Sequence, residues 1–474
     1  MGVHVAVSAR NYSPVLHRST NTTGNNMHIG TGAIHRRTVL KTTVLTTALS
    51  FTPAFYRGVL TAPAIQGNGP YGPLQPPDEN GVALPVGFTS RVIAQSGLPV
   101  VGIGALGRQV TLPYIWHANP DGAACFPEDD GGYRYVNNAE TRGGRGGTGA
   151  IRFAADGQVL SAYPILENTS GNCAGGATPW GTWMSCEENG DSGLVWECAP
   201  DASFVAEPMP MLGSCNHEAI AVDPVHQHIF VTEDNGSSLF YRYVMAPGRY
   251  AEAMLTGQLQ AVTPEDGTLQ AALLDEAGNV KWLDIEDATA TPLRNQVAGT
   301  TFNGTEGIWY DTGFVYFTTK GDNRVWSHDI SAQTITVLYD PKDFPTAPLT
   351  GVDNVTIAPS GDVLIAEDGG DLEIRLIAAD TREVAPLVRL PGAAHAASEI
   401  TGPCFSPDGT RLYFSSQRGG LLTPGAGITF EVTGPWRLDR IAVAGTGEMP
   451  EEYDPAPHSP ASPGANRTEL NGRS

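Results

Sequence analysis

Basic residues are scarce in this chain: 28 Lys and Arg stand against 50 Asp and Glu, a formal charge of −22, and charged residues make up only 16% of the sequence. Six of the 28 (Arg10, Arg18, Arg36, Arg37, Lys41, Arg57) fall within residues 1–64, which hold no acid, so the remainder has 22 basic against 50 acidic residues, a balance of −28. A surface of that sign repels nucleic acid and anionic lipid, and neither is expected as a partner. It also repels phosphate esters, so an enzyme acting on them needs local cations, most simply bound metals. Other signatures are missing too. There is no Gly-rich lysine loop for nucleotides, no Gly-x-Ser-x-Gly elbow and no His-Glu-x-x-His. The apolar run Thr42–Phe55 is broken by threonine and proline and is too short and polar to be a stable membrane span. The cysteines (Cys125, Cys173, Cys186, Cys198, Cys215, Cys404) are even in number, but their spacing is not that of a dense disulfide framework. A Cys173–Cys186 bridge closing a small loop stays open on sequence grounds.

What is abundant is glycine (56) and proline (36), the mark of many turns and short elements, hence an all-β protein. Apolar runs broken by an Asp, Pro or Gly turn recur along the chain. Examples are Ala219–Pro224 into His228–Thr232, Gly307–Asp311 into Phe314–Thr318, Asn354–Gly361 into Val363–Ala366, and Pro403–Gly409 into Leu412–Ser415. Each reads as a hairpin of two short strands. The turns at Asp311, Ser360 and Asp408 lie 49 and 48 residues apart, a blade-sized period. A β-propeller is the natural closed solution, because radial repetition leaves only short, protected sheet edges. The earlier turns at Asp156 and Asp223 are 67 residues apart and the next gap is 88, so longer loops are expected in the first blades. Met245–Val297 is the largest candidate insertion, with a helical turn or two over Ala251–Thr256 ended by Gly257. The expected organisation is a leader over 1–64, a propeller over 65–446 starting with an extended Gly/Pro-rich segment, and a disordered tail over 447–474.

The leader carries His35-Arg-Arg-Thr-Val-Leu-Lys41 ahead of the mildly apolar run, then Ala62-Pro63-Ala64. This resembles a twin-arginine signal cleaved near Ala64, making the twin-arginine export machinery a partner and the periplasm or exterior the destination. Because the motif begins late, Met27 is the expected true start. That route carries folded proteins, which suits a metal site assembled before export.

Acids and amides recur at the hairpin edges: Asn138 and Glu140, Glu187-Glu188, His217-Glu218, Glu233-Asp234, Glu306, Asp353-Asn354, Glu367-Asp368 and Glu399. A propeller brings equivalent strand ends to one channel, and carboxylates converging there are mutually destabilising unless cations bind or some protonate. In Asn172-Cys-Ala-Gly-Gly-Ala-Thr-Pro-Trp-Gly-Thr-Trp-Met-Ser-Cys-Glu-Glu-Asn189, Cys186 is a soft donor and Glu187 a hard one, a set able to hold both a transition ion and calcium. The same residues also describe a buried strand ending in a solvated turn. His217 is read as packed, or as supporting a ligand, rather than as a ligand itself. Gly143–Gly147 is read as a flexible turn from which Arg142 and Arg145 could reach an anion.

Several stretches together resemble the PhoX-type alkaline phosphatases: Thr178–Asn189, Asn216-His-Glu-Ala-Ile-Ala-Val-Asp-Pro224, Glu306-Gly-Ile-Trp-Tyr310, Ile365-Ala-Glu-Asp-Gly369 and Glu399–Gly409, within roughly residues 85–440. The resemblance implies a six-bladed β-propeller with loop insertions, hydrolysing phosphomonoesters at a centre of Ca2+ and Fe3+. By motif, Cys186 would bind iron, and Glu218, Glu306 and Glu399 would be the catalytic carboxylates that ligate iron or bridge metals. Glu187, Asp353, Asn354 and Glu367 would hold calcium. The run His395-Ala-Ala-Ser-Glu399 lacks the arginine such phosphatases tend to carry before that glutamate, and Arg418 is the candidate substitute. Two other readings fit a propeller: a calcium-dependent hydrolase of lactones or phosphotriesters, and a non-catalytic, metal-stabilised binding propeller.

Overall fold

The computed structural model describes residues 64–104, 107–261, 263–420 and 426–440. The expected leader (apart from Ala64) and the expected tail lie outside the described residues.

Six sheets of four or five strands succeed one another along the chain as the blades of a β-propeller. Their innermost strands are Pro120–Pro127, Asn172–Ala177, His217–Asp223, Thr305–Asp311, Val352–Ile357 and Ile400–Phe405, and each packs beside the next, with the sixth against the first. In each blade the second strand returns antiparallel to the inner one and the third follows outward. The ring is closed by the N-terminal part: Thr89–Gln95 pairs antiparallel with Ile428–Thr433 and supplies the outer strand of blade 6. Ile65–Gln66 similarly adds to the edge of blade 5, parallel to Glu383–Val384. The segment expected to be merely extended thus ties the last two blades to the start of the chain. A separate hairpin, Pro99–Ile103 with Gln109–Ile115, flanks blade 1.

Between blades lie apolar layers, and burying them is what drives the blades together. Phe230, Phe240, Phe317 and Trp326 form a continuous stack across blades 3 and 4, with ring centroids 5.7, 4.4 and 6.0 Å apart. Leu364, Ile374, Leu376, Phe414 and Phe430 fill the equivalent space between blades 5 and 6. The helix Arg249–Thr256 ends at Gly257, whose φ of 73° is the left-handed conformation glycine tolerates. The expected insertion there is smaller than it reads, because Gly267–Leu274 and Val280–Asp284 are the fourth and fifth strands of blade 3. No helix among the described residues is long and apolar enough to cross a membrane.

One irregularity repeats in every blade. Pro120 faces Ala139 and Ala123 faces Asn137, so Asp121 and Gly122 together oppose the single residue Asn138. The same two-against-one bulge holds Cys173-Ala174, Glu218-Ala219, Glu306-Gly307, Asp353-Asn354 and Gly402-Pro403. A bulge bends the strand and re-aims its side chain. In blades 1 to 4 the second bulge residue (Gly122, Ala174, Ala219, Gly307) is small where the next inner strand approaches. A Cβ on Gly122 would stand 2.4 Å from Ala174 Cα, and one on Gly307 would stand 2.6 Å from Asn354 Cα.

Candidate metal centre

Reading the first bulge position around the ring gives Asp121, Cys173, Glu218, Glu306, Asp353 and Gly402. Four carboxylates and a thiol are therefore delivered to the channel by one repeated backbone device. A second tier comes from the residue just past each second strand: Glu140, Glu188, Asp234, Lys320, Asp368 and Gln417. Glu399 joins them from just ahead of the blade 6 inner strand, bridged to Asp368 through the backbone.

These side chains meet. Ligand atoms of Glu218, Glu306 and Asp353 lie within 4.8 Å of one another, as do those of Asp353, Asp368 and Glu399. Cys173 Sγ donates to Glu218 Oε1 at 3.4 Å. Asp121, Glu218 and Glu306 are each only 1% exposed. Burial, followed by repulsion from neighbouring acids, pushes all three well above the ordinary carboxylate range. Burial with Asp353 and Asp368 nearby lifts Glu399 to about 8, and burial with Glu188 nearby lifts Glu140 to about 7. Burial and the surrounding acids also raise the Cys173 thiol.

Three cations partly offset the acids, Arg142 doing so at Glu140 and Glu188. Lys320 Nζ lies 2.8 Å from Asp353, 3.2 Å from Asp368 and 3.6 Å from Glu306, at the junction of both carboxylate groups. The Arg418 guanidinium lies 2.7 Å from Glu399 Oε1 and 3.8 Å from Asp368. Even so, Asp121 Oδ1 and Glu306 Oε1 are buried without a hydrogen bond among the described residues. The orphaned Asp121 Oδ1, and Glu306 Oε1 with only the Lys320 ammonium at 3.6 Å, face other carboxylates and suit hard cations, and the adjoining thiol suits a softer one. The residues present fit a mixed metal centre.

The bulges are held by side-chain amides, Asn138 from a second strand and Asn354 from within a bulge. Asn138 Nδ2 donates to the carbonyls of Cys173 and Ala174 at 3.0 and 2.8 Å, while its Oδ1 accepts from Thr148, Trp183 and Ser185. Asn354 Nδ2 donates to Asp353 Oδ1 at 2.9 Å, and its oxygen accepts the Gly402 N–H at 2.7 Å. Asn354, expected as a calcium ligand, orients Asp353 in this arrangement.

The family model for alkaline phosphatase PhoX matches residues 128–343 and 342–420, more than half of the chain. The chain belongs to the PhoX alkaline phosphatase family. Among solved structures, PhoX of Pseudomonas fluorescens in complex with vanadate, a transition-state analogue, shares the fold, with a TM-score of 0.58 at 15% identity over 79% of this chain and 97% of that one. A gluconolactonase of Xanthomonas campestris (TM-score 0.38, 12% identity, 73% of this chain and 98% of that one) and a regucalcin of Agrobacterium tumefaciens (0.39, 14%, 75% and 98%) are more distant. No curated protein matches the chain.

Within this PhoX-family fold, the structure brings Glu218, Glu306 and Asp353 together, and Asp353 with Asp368 and Glu399. Three other expected ligands are placed elsewhere. Cys186 sits opposite the bulge rather than in it, buried with Met184, Val195, Met209 and Cys215 in an apolar cluster. Glu187 accepts backbone N–H groups from Ser170 and Leu194 at 2.9 and 3.1 Å, and Glu367 does the same with Thr350 and Glu373 at 3.1 and 3.2 Å. Both acids brace their own loops, and the residues following them, Glu188 and Asp368, take the second-tier positions. All six cysteines are free thiols, so there is no Cys173–Cys186 bridge. His217 is packed: its ring bonds Cys215 Sγ and Gly213 O, and burial lowers it to about 4.

Asp121, Cys173 and Lys320 were not expected at the centre. Asp121 stands in Asn119-Pro-Asp-Gly122 and Lys320 in Lys-Gly-Asp322, both of which read as turns. The available signal was the dipeptide pattern, an acid or thiol followed by Gly or Ala, recurring in blades 1 to 4 (Asp121-Gly122, Cys173-Ala174, Glu218-Ala219, Glu306-Gly307).

Proposed function

We propose that the chain is an exported, metal-dependent phosphatase hydrolysing phosphomonoesters at a calcium and iron centre on the propeller axis. The observation that carries this reading is the repeated bulge, which points Asp121, Cys173, Glu218, Glu306 and Asp353 at one channel in a PhoX-family chain. Calcium is assigned to the carboxylate positions Asp353, Asp368 and Glu399, the last leaving the iron set because it groups with Asp353 and Asp368. Iron is assigned to Cys173 with Glu218 and Glu306, the thiol role passing from Cys186 to Cys173. When bound, such metals neutralise phosphoryl oxygens and act as Lewis acids on the ester.

The chain's own groups then have defined tasks. Arg418 approaches Glu399 from the side where Ala396-Ala397-Ser398 leaves no guanidinium, and it can hold a phosphoryl group by two parallel hydrogen bonds. Asn354 and Asn138 fix Asp353 and the Cys173 bulge, so the charged groups need not reorganise as charge develops on the phosphoryl group. Lys320 holds Asp353 and Asp368 in place against their mutual repulsion. Twin-arginine export of a folded, loaded protein completes the proposal.

The test is hydrolysis of p-nitrophenyl phosphate by the purified exported protein, before and after chelation and again with calcium and iron restored. Turnover lost on chelation and regained on restoration supports the reading. A metal-replete protein that hydrolyses no phosphomonoester would exclude it.

A further inference from the structure

Beside the acidic centre lies a cavity of about 670 Å3 whose lining includes His117, Asn119, Glu140, Arg142, Arg145 and Arg418. Three arginines around one cavity run against the charge of the whole chain, formally −22. The wall they share with the centre is short. Arg418 lies 2.7 Å from Glu399, and Arg142 lies 3.3 Å from Glu188 and 3.8 Å from Glu140. Arg145 makes no ion pair among the described residues, and its Nε donates only to Arg142 O at 3.3 Å.

The loop that carries these arginines is anchored. Gly143 N donates to Ser170 Oγ at 3.1 Å, and Thr141 Oγ1 donates to Arg145 O across the turn. Gly143 and Gly144 both have φ in the left-handed region, at 74° and 73°, which bends the loop tightly and keeps Arg142 and Arg145 on the same cavity. The cavity falls within the roughly 300–1,000 Å3 typical of small-molecule sites.

We infer that this cavity receives the organic part of the ester, and that Arg142 and Arg145 bind a second anionic group on it, a carboxylate or another phosphate. The inference rests on the phosphatase reading and sharpens its substrate class to phosphomonoesters bearing a distal anion. Arg418, adjoining Glu399, faces the transferred phosphoryl group. Arg142 and Arg145 face the far end. Guanidinium groups suit either anion because their paired N–H donors match two oxygens at once.

Phenyl phosphate and 4-carboxyphenyl phosphate form a matched pair that differs only in the distal anion. With the metal-loaded protein, kcat/KM is expected to be at least tenfold higher for the carboxylated ester. In Arg142→Ala with Arg145→Ala that ratio falls toward one, and in Arg142→Lys with Arg145→Lys it is partly kept. Calorimetric binding of phosphonoacetate against methylphosphonate reads the same site without turnover, and the two-anion ligand should bind at least tenfold tighter in the unaltered protein alone. A ratio near one in the unaltered protein, or a preference that survives removal of both arginines, overturns the inference. Arginine-dependent binding of phosphonoacetate with no ester hydrolysed would uphold the anion site and sink the phosphatase reading instead.

Discussion

Lys320 Nζ lies 2.8 Å from Asp353 Oδ2, placing an ammonium where two groups of carboxylates meet. Lys320 fills the second-tier position that Glu188, Asp234 and Asp368 fill in other blades. It acts as a resident counter-cation for Glu306, Asp353 and Asp368. Lys320→Met should therefore destabilise the chelated protein at pH 8 by about 1–2 kcal/mol, the loss being limited by the partial exposure of the lysine. The same change should tighten calcium binding, by roughly tenfold if about 1.4 kcal/mol of repulsion is removed. Urea unfolding of the chelated protein and calorimetric titration with calcium check both. Weaker calcium binding in the variant would show that the ammonium supports the metals rather than competing with them.

The acids of the centre predict the pH dependence of the metal-free fold. Glu399 sits at about 8 and Glu140 at about 7 in the native state, against about 4.3 in an unfolded chain. Between those values the native state keeps protons that the unfolded state has released, so stability falls as pH rises. Each fully coupled carboxyl contributes a slope of about 1.4 kcal/mol per pH unit. The urea midpoint of chelated protein should therefore drop from pH 5 to pH 8. Metal-loaded protein should lose this dependence, because bound cations replace the protons.

Cys173 and Cys186 should behave differently on conversion to serine. Cys173→Ser removes the thiol facing Glu218 and should lower the iron content with little change in calcium. Cys186→Ser puts a hydroxyl into an apolar cluster and should cost about 1–3 kcal/mol of stability while iron is retained. Elemental analysis and urea unfolding of both variants separate the two roles.

Asn138 holds five partners, including the carbonyls of Cys173 and Ala174. Asn138→Ala leaves these buried groups unpaired and should destabilise the fold by about 2–4 kcal/mol. Iron should be lost before the fold is, since the Cys173 bulge is what the amide clamps. Iron content followed against urea concentration tests the order.

Arg418→Ala should lower kcat on p-nitrophenyl phosphate by about 10²–10³, the size of one lost transition-state donor. Arg418→Lys should recover little of this, because an ammonium lacks the fork that engages two oxygens. Steady-state kinetics of both variants decide whether Arg418 takes the part left open before Glu399.

The propeller was legible in the turns at Asp311, Ser360 and Asp408, which all join an inner strand to its second strand. The phase of the first two blades was not. Asp156 lies in the turn after a third strand, whereas the corresponding inner turns are at Glu128–Gly132 and Thr178–Thr182. The second of these follows Asn172–Ala177, a strand too rich in glycine to read as apolar alternation. At the site, acids at hairpin edges were legible, but which of two neighbours faces the channel was not. A bulge shifts the alternation of side chains by one residue. That shift puts Cys173 in the channel, while Cys186 lies on the second strand opposite the bulge. At the ends of the second strands, backbone N–H groups that need an acceptor capture Glu187 and Glu367, leaving Glu188 and Asp368 for the second tier.

The most direct test of the account is the metal content of the exported protein beside that of a Glu306→Gln, Asp353→Asn variant. The account predicts calcium together with iron in the unaltered protein and loss of both in the folded variant. Phosphomonoester hydrolysis by a protein free of both metals, or full metal content in the variant, would contradict it.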